Sequence, residues 1–299
     1  MASREGRGGG RDGARAADGG AARIRWGRMR ARNDGVGIEY DVLGEGRPVV
    51  LLHGFPDSAR LWRHQAPALA HAGFKVIVPD MRGYGRSDKP SQPQDYAMHL
   101  LAGDVLAVLD DAGAGRAHVV GHDWGAAVAW ALGAVFGERV DHLAALAVGH
   151  PATFLADQTL TQQQRSWYML LFQFSGVAEE WLSADGWANF RAWGGHPDAD
   201  AVIAELERDS SLTPALNYYR ANMRPEAFLA RRLEVPPVSA PTMGVWSSGD
   251  FALTEGQMTR SAAGVSGPWR YERIDGPGHW MQLEAPEQVN RLLLDVLPA

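Results

Sequence analysis

The chain has 299 residues, a net charge of −6, 45% apolar and 21% charged residues, enough for one large α/β domain, or a domain carrying an insertion, around a sizeable core. The acidic balance leaves no footprint for nucleic acid, and no nucleic-acid motif accompanies it. The absence of cysteine excludes disulfides, thiolate zinc sites and a cysteine nucleophile, and no apolar run approaches the length of a membrane span.

Residues 1–22 are rich in Gly, Arg and Ala and lack the apolar stretch of a secretory signal. They read as a disordered tail, and the protein is expected in the cytoplasm. Arg23–Arg32 and Gly37–Val42 alternate as two edge strands joined at Asn33-Asp34-Gly35. Pro48–Leu52 is a continuous apolar run, the mark of a strand covered on both faces. It ends in His53-Gly54-Phe55-Pro56, and Ser58–Ala72 then reads as a helix. Phe74–Val78 is a second buried strand, running into Asp80-Met81-Arg82-Gly83-Tyr84-Gly85-Arg86-Ser87. Ala97–Ala112 has helical spacing and stops at Gly113.

A strand over His118–Val120 then meets a helix that begins by Ala126 and runs to about Phe136, with another strand over Leu143–Val148. From Pro151 to about Val238 no strand pattern occurs. Helices are expected over Thr161–Phe174, Val177–Trp193, Ala199–Arg208 and Pro214–Arg231, and Trp167, Trp181, Trp187 and Trp193 crowd the segment. Alternation resumes with a strand Thr242–Trp246, a helix near Glu255–Ala263, a strand Trp269–Ile274 and a last helix Pro286–Leu297. The order predicts an α/β fold with a mostly parallel central sheet flanked by helices. Residues 23–150 and 239–299 form its core, and residues 151–238 form an inserted all-helical cap.

In such sheets reacting groups collect at the carboxyl ends of strands. The most telling end is Gly121-His122-Asp123-Trp124-Gly125, a G-x-D-x-G form of the strand–turn–helix nucleophile elbow. Its glycines suit a turn in which strand and helix approach too closely for a Cβ, and the helix head favours an anion at Asp123. His53-Gly54-Phe55-Pro56 follows one strand, Asp250 the strand Met243–Ser247, and His279, in Gly276-Pro277-Gly278-His279-Trp280, the last. Singly, Asp250 reads equally as a helix N-cap and His279 as a structural loop histidine. Together their order, nucleophile then acid then histidine, is that of the α/β-hydrolase fold. His122 alternates to the other face and reads as scaffold. His150 is a rival to His279, but no carboxylate follows the strand ending at Val148, which favours Asp250 as the acid.

Aspartate at the elbow changes the chemistry. A carboxylate is already ionised at neutral pH, so Asp123 can displace a leaving group from saturated carbon and form an alkyl ester. His279, oriented by Asp250, then activates water against that ester, with the oxyanion held by the backbone N–H groups of Phe55 and Trp124. The side chains of Phe55 and Trp124 are also expected to line an apolar substrate pocket. The histidines have no metal-ligand spacing and the chemistry requires no cofactor, so none is expected.

His53-Gly-Phe-Pro56, Asp80-x-Arg82-Gly83-x-Gly85-x-Ser87, Gly121-His-Asp-Trp-Gly125, Asp250-Phe251 and Gly278-His-Trp280 resemble the epoxide hydrolase branch of the α/β-hydrolases, from about Arg23 to the C-terminus. The resemblance implies the hydrolase fold, the cap, a two-step ester mechanism and a small-molecule epoxide as partner. Family members supply two cap tyrosines to the opening ring. Leu216-Asn217-Tyr218-Tyr219-Arg220 is similar to the segment around the second and assigns that role to Tyr219. The first position, in the element before Gly176-Val177-Ala178-Glu179, holds Leu171, which is expected among the substrate contacts. Tyr168, one helical turn earlier on the same face, is the candidate substitute. Two other readings use the same residues: a haloalkane or haloacid dehalogenase with the same nucleophile, and a non-catalytic ligand-binding protein of hydrolase fold. An apolar or aromatic, uncharged substrate is expected from the tryptophan-rich cap.

Overall fold

In the computed structural model, residues 27–156, 159–226 and 233–299 are described. The tail expected over residues 1–22, the first residues of the strand expected from Arg23 and the end of the helix expected to Arg231 lie outside them. Strands β1 (Gly27–Asn33) and β2 (Val36–Leu43) form an antiparallel hairpin. Its two-residue turn has Asp34 and Gly35 at φ 48° and 83°, the left-handed pair that matches strand twist in a tight hairpin.

The rest of the sheet is parallel: β3 (Arg47–Leu52), β4 (Phe74–Pro79), β5 (Ala117–His122), β6 (Val140–Leu146), β7 (Thr242–Ser247) and β8 (Trp269–Ile274). The order across the sheet is β1-β2-β4-β3-β5-β6-β7-β8. From β3 the chain passes outward to β4, and from β5 it passes the other way to β6. Right-handed crossovers therefore send the intervening helices to opposite faces and open a crevice at the carboxyl ends of β3 and β5. Every residue of β5 is buried.

On one face α1 (Gln65–His71) packs against β4 and the last helix; on the other, α2 (Met98–Asp111) packs against α3 (Trp124–Val135). The helix expected over Ser58–Ala72 is shorter than its pattern: a 3-10 turn Ala59–Trp62 precedes α1. The cause is Pro67, which fits only in the first turn of a helix because it has no N–H and its ring clashes with the preceding turn.

Between β6 and β7 the described chain is helical, with α4 (Pro151–Ala156), α5 (Leu160–Arg165), α6 (Trp167–Leu171), α7 (Val177–Gly194), α8 (Ala199–Arg208) and α9 (Leu212–Asn222). The single helix expected over Thr161–Phe174 is two, divided at Ser166. α7 is interrupted at Ala184–Trp187, where Asp185, Gly186 and Trp187 take positive φ. α9 stops short of the expected end because Pro225 disfavours helical backbone just before it. Beyond β7 lie α10 (Glu255–Thr259), β8, α11 (Met281–Glu284) and α12 (Pro286–Val296). No helix of the described residues is long and apolar enough to cross a membrane.

A buried ion pair fastens the helical layer to the sheet. Arg82 and Asp104, both 2% exposed, meet through two hydrogen bonds of 2.6 and 2.7 Å. Asn33 adds a third bond to Asp104, and Arg82 also donates to the Asp95 carbonyl. The Tyr218 hydroxyl of α9 donates to the Arg82 carbonyl at 2.7 Å. Removing one partner strands a charge away from water. Asp104→Ala is expected to cost about 3 to 5 kcal/mol, read from urea unfolding; a loss below about 1 kcal/mol would show the guanidinium has another way to be solvated.

Candidate active site

At the crevice, β5 turns into α3 through Asp123, whose φ of 53° and ψ of −123° are strained for a residue with a side chain. The turn closes because Gly121 and Gly125 face one another: a Cβ on Gly121 would strike the Gly125 backbone, and one on Gly125 the backbone of Leu52 and His53. Strand β3 delivers the opposite loop. A Cβ on Gly54 would collide with the Asp123 carboxylate and the Trp124 N–H, so glycine lets that loop lie against the nucleophile. Phe55 N–H donates to Asp123 Oδ1 at 2.7 Å. Trp124 N–H stands beside the same carboxylate at the head of α3.

Asp250, past β7, accepts from the N–H groups of Ala252 and Leu253 through Oδ1 (2.8 and 2.9 Å) and meets His279 Nδ1 through Oδ2 at 2.9 Å. It is thus a loop-capping carboxylate and the partner of the histidine at once. His279 Nε2 lies 3.5 Å from Asp123 Oδ2. Burial disfavours the charged imidazole, but Asp250 and Asp123 outweigh it and push the His279 pKa up to about 10. At neutral pH the ring is an imidazolium between two carboxylates.

The helical layer completes the site. Tyr168 of α6 and Tyr219 of α9 are buried, and both line the cavity that reaches Asp123 and Trp124. The Tyr219 ring stands 5.0 Å from the Trp124 ring and 5.9 Å from the Tyr168 ring, edge to face in both cases. Burial holds both phenols well above their usual pKa, and the charge of Asp123 adds to it, so both stay neutral O–H donors. Phe55, Phe172 and Tyr168 surround the Tyr219 ring at centroid distances of 5.7, 5.0 and 5.9 Å.

Two expected substrate contacts stand elsewhere. Leu171 is only half-buried and does not line the cavity. The Phe55 ring is also absent from the lining, being packed against Phe172, Trp193 and Tyr219. The reason is helical phase: Tyr168 and Phe172, four apart, share the inward face, and Leu171 lies off it. His122 bonds the His279 carbonyl through Nε2 at 2.9 Å and is scaffold. His150 packs edge-on to Trp130, and its ring nitrogens find no hydrogen-bond partner.

Two contacts around the site have no local sign in the sequence. Asp57 accepts from the Trp280 indole at 2.9 Å and pairs with His196 at 3.1 Å, joining the α7–α8 connection to the loop that carries His279. Gln162 and Arg165 of α5 bind the backbone of the Asp250 loop. The sequence shows an aspartate directly after His53-Gly-Phe-Pro56, but only its burial in the structure reveals that it requires partners. Among the described residues no three His, Asp or Glu side chains cluster so as to hold a metal ion.

An elbow aspartate, a histidine paired to a second aspartate and an N–H pair at the switch point of a parallel sheet define a hydrolase of the α/β class, and residues 47–286 match the family model described as α/β hydrolase fold. The chain is 36% identical to epoxide hydrolase A of Mycobacterium tuberculosis, covering 88% of this chain and 95% of the relative. Among solved structures it is similar to epoxide hydrolase A of Mycobacterium thermoresistibile (32% identity, TM-score 0.78, 91% and 98% of the two chains). It is also similar to a Bacillus megaterium epoxide hydrolase solved with an inhibitor (27%, TM-score 0.82, 90% and 99%). The protein belongs to the α/β-hydrolase family, in its epoxide hydrolase branch.

The raised pKa of His279 has a thermodynamic consequence. A folded-state value of about 10 against 6.5 for the free side chain adds stability that is whole below pH 6.5 and lost as pH rises through 10. Asp123→Asn removes one of the two carboxylates and lowers that value. Urea unfolding at pH 6.5 and 9.5 is expected to show a larger loss for the wild type than for Asp123→Asn; an equal loss would mean that Asp123 does not hold the proton on His279.

Proposed function

We propose that the protein is an epoxide hydrolase that opens its substrate through a covalent ester on Asp123. The observation that carries this reading is the pair of buried, neutral tyrosine hydroxyls, Tyr168 and Tyr219, in the same cavity as the Asp123 carboxylate.

An epoxide oxygen seated between the two hydroxyls presents its ring carbon to Asp123. Attack by Asp123 Oδ2 forms the ester C–O bond and breaks the ring C–O bond. The departing alkoxide needs a proton, which a tyrosine O–H supplies. The carboxylate charge is thereby lost, and with it one of the two charges that hold His279 protonated. The imidazolium releases its proton, returning one to the tyrosine site, and the neutral ring becomes a base. His279, held in orientation by Asp250, then takes a proton from water as the water oxygen attacks the Asp123 carbonyl carbon. The oxyanion develops at Oδ1, where Phe55 N–H already donates and Trp124 N–H stands alongside. Collapse expels the diol and restores the carboxylate.

The dehalogenase reading uses the same first step but needs N–H donors for halide. Here the cavity brings two neutral tyrosine hydroxyls to the Asp123 carboxylate, which suits an alkoxide better.

The direct test is trapping. His279→Gln incubated with styrene oxide is expected to gain the mass of one substrate on the peptide that contains Asp123, and Asp123→Asn to gain none. Tyr219→Phe and Tyr168→Phe are each expected to lower kcat about tenfold or more, and the double variant about a hundredfold or more. Bromide release from 1-bromobutane without diol from styrene oxide would overturn the reading in favour of dehalogenation, and no adduct with either compound would favour a binding protein.

A further inference from the structure

The cavity at Asp123 does not end there. Ala127, Ala131 and Val135 follow Trp124 along one stripe of α3, at the spacing that stacks side chains on one helix face, and all of them line the void. At 1.5 Å per residue the stretch from Trp124 to Val135 extends about 17 Å from the nucleophile. The volume is about 460 Å³. Two alanines on the stripe leave open a width that larger side chains would fill. The facing wall is apolar too, with Phe154 and Leu155 from α4, and the outer end is marked by Val135 and Leu233, 59% and 45% exposed.

Past the tyrosines this wall offers a ligand almost nothing polar. The Asn222 amide is already spent: its oxygen accepts from Met98 N–H, and its nitrogen donates to the Tyr96 and Tyr218 carbonyls. Among the described residues the charged lining groups are Asp123 at the inner end and Glu234 at the outer, both acidic, with no Lys, Arg or His.

We infer that the site takes an epoxide carried on a long, slender, uncharged aliphatic chain, laid along α3 with its ring at Asp123 and its tail toward Val135, and that Ala127 and Ala131 set the chain length admitted. The inference rests on the ring-opening reading and narrows it. A compact aromatic epoxide fills the inner end only and leaves the outer wall unmatched. Among the described residues a carboxylate at the tail meets no cation in the lining. Each methylene moved from water onto this wall is worth about fourfold in kcat/KM.

The test is a substrate series on the full chain: 1,2-epoxybutane, 1,2-epoxyhexane, 1,2-epoxydodecane and 11,12-epoxydodecanoate. The dodecane epoxide is expected to exceed the butane epoxide by more than about a hundredfold in kcat/KM, and the carboxylate to fall at least about tenfold below its uncharged counterpart. Ala131→Phe blocks the stripe and is expected to lower the dodecane-to-butane ratio by about tenfold or more. Ala131→Leu, the milder change, serves if the phenylalanine variant does not melt cooperatively. A flat series, a carboxylate turned over as well as the uncharged chain, or a ratio unmoved by a folded Ala131 variant overturns the inference. Calorimetry with 1,2-dodecanediol separates the two levels. Binding of the diol with no epoxide turned over supports the channel and sinks the ring opening; turnover of short epoxides with no gain from length and no diol binding sinks the channel alone.

Discussion

The 2.7 Å hydrogen bond from Phe55 N–H to Asp123 Oδ1 is the contact on which the rest of the structure depends. It joins the loops after β3 and β5, neighbours in the sheet whose onward connections leave in opposite directions. Only at that divergence is there room for two loops to face each other over the strand ends. Glycine at 54, 121 and 125 is what lets backbone come close enough to touch. The strained backbone of Asp123 is the local cost of aiming a carboxylate at the opposite loop and away from its own helix.

From that contact the charges of the site follow. Asp123 has one oxygen on the Phe55 N–H donor and the other 3.5 Å from His279 Nε2, so both oxygens of the carboxylate face a donor. Asp250 sits on the far side of the ring, and the imidazole is held charged between them. A histidine in that state cannot act as a base. In the proposed cycle it becomes one only when Asp123 is esterified, so the base is released by the step that creates its substrate. The tyrosines obey the opposite logic. They are buried beside an anion, which keeps their protons in place, and in the proposed cycle those protons serve an alkoxide that exists only once the ring opens.

Much of this was readable in the residues because the signals are local. Most of the parallel strands are apolar runs that end in a glycine-rich or acidic turn, and the candidate site residues stand at those ends. Asp123, Asp250 and His279 could therefore be singled out from short windows. The positions that escaped are set by partners far away in sequence. Asp57 finds His196 and Trp280 across 139 and 223 residues, and no pattern around any one of them announces the other two. Leu171 was placed by likeness to a family segment, whereas the helix turns Phe172 and Tyr168 inward. Helix limits slipped where a proline intervened, as at Pro67 and Pro225, or where Asp185-Gly186 broke α7 from within. The cavity along α3 was invisible for another reason: alanines that line a channel have the same pattern as alanines that fill a core.

The central claim is that an oxygen of Asp123, and not of water, enters the product. A single turnover of excess enzyme with styrene oxide in oxygen-18 water measures it directly. The account predicts unlabelled diol in that first turnover and one labelled oxygen in the peptide containing Asp123. Labelled diol with an unlabelled peptide would contradict it, since water would then have opened the ring without passing through the ester.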